Sequence, residues 1–147
     1  MKTLLVAFKG KNNTSAQLVS QLPCDRILLT NSFSGLERDI CVIHGSYDSV
    51  ILFGMDPSLS ETVRIEQTAK LDRTSICTQF DIPALSNRMR SYGIAHSVSR
   101  TPTQYLCNSA YYHMLIKNQN TVLIHIPSQK GMSKNLMNQL TTLFSSV

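Results

Sequence analysis

The sequence predicts one α/β domain: a largely parallel sheet with helices on both faces. Three observations carry this. Short apolar runs of strand length recur at residues 3–8, 49–55 and 121–126. Amphipathic stretches of helical length separate them. The chain has 147 residues, the size of one domain with a proper core, and shows no repeat, long linker or low-complexity segment.

Residues 3–8 read as a buried strand. Asn12, Asn13 and Thr14 supply turn and N-cap chemistry for a helix over 15–22, closed by Pro23. Residues 26–30 read as a second strand, and 34–44 as a helix with Gly45 just beyond it. Residues 49–55 form a strong strand. Residues 63–71 alternate apolar and polar, which predicts a strand with one wet face near a sheet edge. Pro83 opens a helix that runs to Tyr92 and stops at Gly93. A short strand over 94–98, a helix over 105–117, a clear strand over 121–126 and a last helix over 133–144 complete the chain. In such folds ligands bind beyond the carboxyl ends of the strands, so 54–57, 100–107 and 125–128 are the regions to search.

The net charge is +5, and it is unevenly placed. All nine acids lie in residues 1–81. Residues 82–147 carry only Arg88, Arg90, Arg100, Lys117, Lys130 and Lys134. These bases form no dense run, so a nucleic-acid partner is not expected. No apolar run is long enough for a membrane span or a signal sequence. Cys24, Cys41, Cys77 and Cys107 make no CxxC pair and no zinc pattern, so no metal is expected. They read as reduced cytoplasmic thiols, three of them small buried apolar residues. Phosphate-binding loops, dinucleotide fingerprints and the usual serine and zinc hydrolase motifs are absent, and no cofactor is implied.

Cys107, His125 and Glu66 remain as candidates for chemistry. Cys107 falls in the first turn of the 105–117 helix, where backbone N–H groups favour a thiolate and bind an oxyanion. His125 lies near the carboxyl end of the next strand, at the same sheet edge. Glu66 lies on the polar face of the alternating strand and could orient the imidazole. Each also has a plain structural reading: a packed helix cysteine, a core histidine, a solvated glutamate beside Arg64. His113 is a rival base, but six helical positions amount to about 240° of rotation away from Cys107.

Residues 104–112 (QYLCNSAYY) and 122–127 (VLIHIP) resemble the nucleophile and histidine segments of the pyroglutamyl peptidase I (pyrrolidone-carboxylate peptidase) family. Residues 64–69 (RIEQTA) are similar to that family's acidic strand, and 1–8 and 93–98 to two of its other strands. The order Glu, Cys, His is the family's order. The resemblance implies a three-layer α/β/α sandwich with a largely parallel, mixed sheet. It further implies Cys107 as nucleophile, His125 as base and Glu66 as its orienter. The departures cluster in loops: residues 7–13 replace a Phe- and Gly-rich loop, Asp72 and Arg73 are followed soon by the Pro83 helix, and 97–103 replace the segment before the nucleophile. The chain thus reads as a shortened, divergent member.

The expected activity is a cysteine hydrolase acting on a small peptide or amide, removing N-terminal pyroglutamate. Phe8 is the expected apolar wall of the lactam pocket, and Arg73 or Arg100 the expected second oxyanion donor. Two alternatives stand beside it: an inactive binding or scaffold homologue, and an amidase for another small amide. A site completed across a homo-oligomer interface is a further option. The triad requires the Cys107 sulfur and a His125 ring nitrogen within about 4 Å of each other, with Glu66 at the other nitrogen. Basic residues of the second half would favour the thiolate where they lie near it.

Overall fold

The computed structural model describes residues 2–43 and 46–147. In chain order the elements are β1 (Thr3–Phe8), α1 (Thr14–Ser20), β2 (Asp25–Leu29), α2 (Phe33–Cys41), β3 (Ser49–Met55), β4 (Val63–Glu66), β5 (Thr68–Leu71), β6 (Thr74–Cys77), α3 (Ile82–Ser91), β7 (His96–Ser99), α4 (Leu106–Lys117), β8 (Thr121–Ile126) and α5 (Lys134–Phe144). The central sheet has six strands in the order β2-β1-β3-β8-β4-β7. β2, β1, β3 and β8 run parallel; β4 is antiparallel to β8 and parallel to β7. β5 and β6 form a separate hairpin. Among the described residues no helix is long and apolar enough to cross a membrane.

The central strands are apolar because both their faces are covered. Every residue of β1 and β8 is buried. Alternate side chains feed two cores. Leu5, Ala7, Ile51, Phe53, Ile65 and Ile124 pack with α1, α3 and α5. Leu4, Val6, Leu52 and Leu123 pack with α2 and α4 on the other face. The result is an α/β/α sandwich with a mixed sheet. Helix starts follow local chemistry: Asn13, Ser32, Asp81 and Ser133 each accept a backbone N–H of the first turn. Gly93 ends α3 at φ +73°, a left-handed conformation that glycine adopts without strain.

Three sequence expectations are corrected. Residues 63–71 are not one strand with a wet face. The strand leaves the sheet at Gln67, whose N–H bonds Ser99 and whose carbonyl accepts Thr78 N–H. Its polar face is covered by α4, so Glu66 is 2% exposed. β4 does lie near a sheet edge, as expected, with β7 as the edge strand beside it. The period of two reflects two different covered faces, one apolar and one charged. The cysteines also differ: Cys41 and Cys77 are exposed and Cys24 is half-buried. β6 was not expected; it exists because Asp72, at φ +53°, turns the chain back on β5. The expected helix over 34–44 ends at Cys41, and His44 and Gly45 lie outside the described residues.

The hairpin is tied to α4 by one side chain. Lys70 N–H donates to Asn108 Oδ1 at 2.9 Å, and Asn108 Nδ2 donates to the Lys70 carbonyl at 2.6 Å. Ala69 packs beside them in the α4-side core. Replacing Asn108 by Ala removes both bonds at a buried position and is expected to cost about 2 kcal/mol. Urea unfolding measures the loss, and hydrogen exchange at the Lys70 amide should accelerate with it.

Candidate active site

The β4–β8 register builds one side of the site. Arg64 stands opposite His125, and Glu66 opposite Leu123. Paired residues share a face, as do residues two apart, so Arg64, Glu66 and His125 all point toward α4. His125 is 4% exposed. Its Nδ1 lies 3.2 Å from Glu66 Oε1. Arg64 Nε donates to the same oxygen at 2.6 Å, and Arg64 Nη2 donates to Asp56 Oδ2 at 2.8 Å. Tyr111, on α4, donates its hydroxyl to the Glu66 backbone carbonyl at 2.7 Å.

Gly54 builds the other side. It lies beside His125 in the β3–β8 ladder, at the carboxyl end of β3. A Cβ at this position would stand 2.6 Å from Cys107 Sγ and 3.2 Å from His125 Cδ2. The missing side chain therefore leaves a space that both the sulfur and the imidazole border. Nδ1 faces Glu66, so Nε2 is the ring nitrogen left free, and the Cδ2 bonded to it borders Gly54. Among the described residues no hydrogen bond joins Cys107 to His125, so the expected sulfur–imidazole bond is not made; the two side chains border the same space over Gly54.

Cys107 occupies the second position of α4, whose N-cap Tyr105 makes no side-chain cap. The first amides of α4 are thus left without a side-chain acceptor. Burial nevertheless pushes the thiol up to about 12. The backbone amides of Met55 and Cys107 pull it down, but the Asp56 and Glu66 carboxylates push it further up. The sequence reading expected the reverse, from the helix end and the basic second half. The correction is one of position: the charges acting most strongly on the sulfur are two acids of the first half. At neutral pH the Cys107 side chain is therefore a neutral thiol.

Asp56 itself is held ionised. Burial opposes the charge on Asp56, yet Ser58 and Arg64 hold its carboxyl at about 2. Burial likewise opposes the charge on Arg64, and its bonds to Glu66 and Asp56 outweigh this and raise it. Among the described residues no three His, Cys, Asp or Glu side chains gather as a metal site.

A cavity of about 370 Å³ opens beside the sulfur, lined by Phe8, Asn13, Phe33, Met55, Tyr105 and Cys107 among others. Phe8 closes the end of β1 there and is 3% exposed. A second cavity of about 650 Å³ shares Phe33, Gln104 and Tyr105 with the first, and Lys70, Asp72 and Arg100 line it. Arg100 therefore sits in the neighbouring groove and not at the sulfur. Arg73 is exposed in the β5–β6 turn and lines neither cavity. His113 turns away, as its helical angle requires, and lies 3.2 Å from Glu37 of α2.

Four residues at the site were not singled out in the sequence. Gly54, Met55 and Asp56 fall within one stretch that the strand-end rule marked for search, but nothing local distinguished them. Arg64 was read only as a neighbour that kept Glu66 in water.

The fold is that of the pyrrolidone carboxyl peptidases. The enzyme from Thermus thermophilus superposes with a TM-score of 0.80 at 15% identity, over 98% of each chain. The A199P mutant of the P. furiosus enzyme gives 0.81 at 17% identity, over 99% of this chain and 96% of the other. The Thermococcus litoralis enzyme gives 0.75 at 14%, over 99% and 94%. No protein-family model matches the sequence, and no curated protein matches it.

Two outcomes follow from the geometry. Gly54→Ala must displace the sulfur or the ring, and is expected to cost about 1–3 kcal/mol by overpacking, read from urea unfolding. Asp56 ionises more easily in the folded chain than in the unfolded one. Its contribution is complete above the ordinary carboxylate value and is lost as pH falls toward about 2. Asp56→Asn should therefore be less stable than wild type by about 2 kcal/mol at pH 7, and the difference should shrink between pH 4 and pH 2 in parallel unfolding curves.

Proposed function

We propose that the chain is a cysteine hydrolase that removes N-terminal pyroglutamate from short peptides. The observation that carries this reading is the convergence of Cys107 and His125 over Gly54, with Glu66 on the far nitrogen of the ring. The shared fold with the pyrrolidone carboxyl peptidases supports the substrate class.

The chemistry starts from the thiol. His125 Nε2 takes the Cys107 proton as Sγ attacks the lactam-bearing acyl carbon. Proton removal is coupled to attack, because the free thiol ionises only near 12. The tetrahedral oxyanion is met by the amides of Cys107 and Met55, both already directed at the sulfur's surroundings. Arg73 is withdrawn from that role by its position, and Arg100 is left to the groove that takes the departing peptide. The imidazolium protonates the leaving amine as the C–N bond breaks. Water then hydrolyses the thioester, with His125 as base, and the thiol is restored. Glu66 holds the ring and balances its transient charge. Phe8, Phe33 and Met55 give the lactam a mostly apolar wall of the right scale.

The test is turnover of a fluorogenic pyroglutamyl amide. Wild type should cleave it, Cys107→Ala should fall to background, and His125→Ala should lose roughly a hundred- to ten-thousand-fold. Wild type that leaves pyroglutamyl amides intact while cleaving other small amides would move the assignment to a different amidase. No turnover of either kind would remove the enzyme reading. A further outcome concerns the resting thiol: alkylation of Cys107 by iodoacetamide should rise about tenfold per pH unit through the neutral range, without a plateau below about pH 10. A neutral-pH plateau would show a preformed thiolate–imidazolium pair instead.

A further inference from the structure

We propose that Arg64 is a positioning residue that sets the protonation state of His125. The inference rests on the triad reading above and adds to it a group outside the triad. Arg64 Nη2 lies 3.4 Å from His125 Nδ1, while Arg64 Nε holds the oxygen of Glu66 that faces the same nitrogen.

Two hydrogen-bond states of the ring compete at Nδ1. In one, Nδ1–H donates to Glu66 Oε1 at 3.2 Å, and Nε2 is left as a bare base. In the other, Nδ1 is bare and accepts from Arg64 Nη2, and the proton sits on Nε2, where the ring cannot take the thiol proton. An N–H donating to a carboxylate is a charge-assisted bond, and the shorter contact is the one to Glu66. Asp56 decides the balance further, because its Oδ2 draws Arg64 Nη2 to 2.8 Å. Arg64 thus supplies the Glu66 carboxylate with its counter-charge, and Asp56 keeps Arg64 from the ring. The guanidinium charge beside Nδ1 also opposes a second proton on the ring. Arg64 and Glu66 from β4 face the His125 ring directly; behind them stand Asp56 after β3, on Arg64, and Tyr111 of α4, on the Glu66 carbonyl, while Cys107 of α4 borders the same space over Gly54. Of these Arg64 carries the positive charge.

Glu66 shows why the arginine is needed. The carboxylate is 2% exposed, and its Oε2 is buried without a hydrogen-bond partner among the described residues. A lone neutral imidazole does not supply a counter-charge. Arg64 does, through Oε1.

Nitrogen-15 spectra of histidine-labelled protein test the proposal, with His125→Gln assigning the signal. In wild type between pH 7 and 8, His125 should carry its proton on Nδ1 and leave Nε2 bare. In Arg64→Gln the His125–Glu66 pair should take up its next proton about one pH unit higher, and Arg64→Lys should restore much of the wild-type value. Asp56→Asn, which keeps the arginine, should show a measurable share of the Nε2–H form and a lower kcat at unchanged KM. An Nε2–H ring in wild type overturns the proposal. So does a titration unmoved in Arg64→Gln; where that variant does not fold, an unchanged tautomer in Asp56→Asn does the same. The spectra need no turnover. Wild type inert toward every amide, with the spectra as expected, removes the peptidase reading and leaves the role of Arg64. Active wild type with unmoved spectra does the opposite.

Discussion

β4 pairs antiparallel with β8, and the position of every charged group at the site follows from that register. Strand side chains alternate, so a slip of one residue would turn Arg64 and Glu66 into the core formed with α1, α3 and α5. It would also turn Val63 and Ile65 toward α4. Neither exchange is tolerable, since one face is packed by Phe53, Val63, Ile65 and Ile124 and the other holds an ionic network. The apolar face thus locks the polar one. The same register sets Glu66 within reach of His125 and lets Tyr111 bind the Glu66 carbonyl from above.

Charge burial gives the site its character. Four ionisable groups, Asp56, Arg64, Glu66 and His125, touch in sequence over a small region, two of them nearly inaccessible. Such a cluster is stable only when each charge has a partner. Here one arginine serves two carboxylates, one of which also serves the imidazole. The sulfur stands just outside this chain of contacts and feels mostly its negative members. It remains a thiol at neutral pH. On the proposed reading, activation rests on geometry, on the empty Cβ position of Gly54 and the amide groups nearby, and not on a resting ion pair.

The similarity to solved enzymes at 14–17% identity shows how little of a sequence such a fold requires. Conservation of apolar period and strand order keeps the sandwich. The walls around the sulfur are more open to change, because they are loops and a hairpin laid over the sheet. In this chain Asn108 clips that hairpin to α4, and the residue after Cys107 thereby supports the neighbouring groove.

Much of this was legible beforehand. Runs such as 3–8, 49–55 and 121–126 announce buried strands, because a strand covered on both faces has no polar position. Asn13, Pro83 and Gly93 mark helix ends through local backbone chemistry. The segments around Cys107 and His125 pointed to the site, since strand and helix ends share one sheet edge. The sequence by itself determined the period of each element, the class of the fold and the identity of the candidate nucleophile and base. Tertiary structure alone decided the direction of β4, the burial of Glu66, the partnership of Arg64 with Asp56 and the neutral state of the Cys107 thiol. Period and capping are set by neighbours along the chain. A charge's burial and partners are set by strands far apart in sequence, which only the folded sheet brings within a few ångströms.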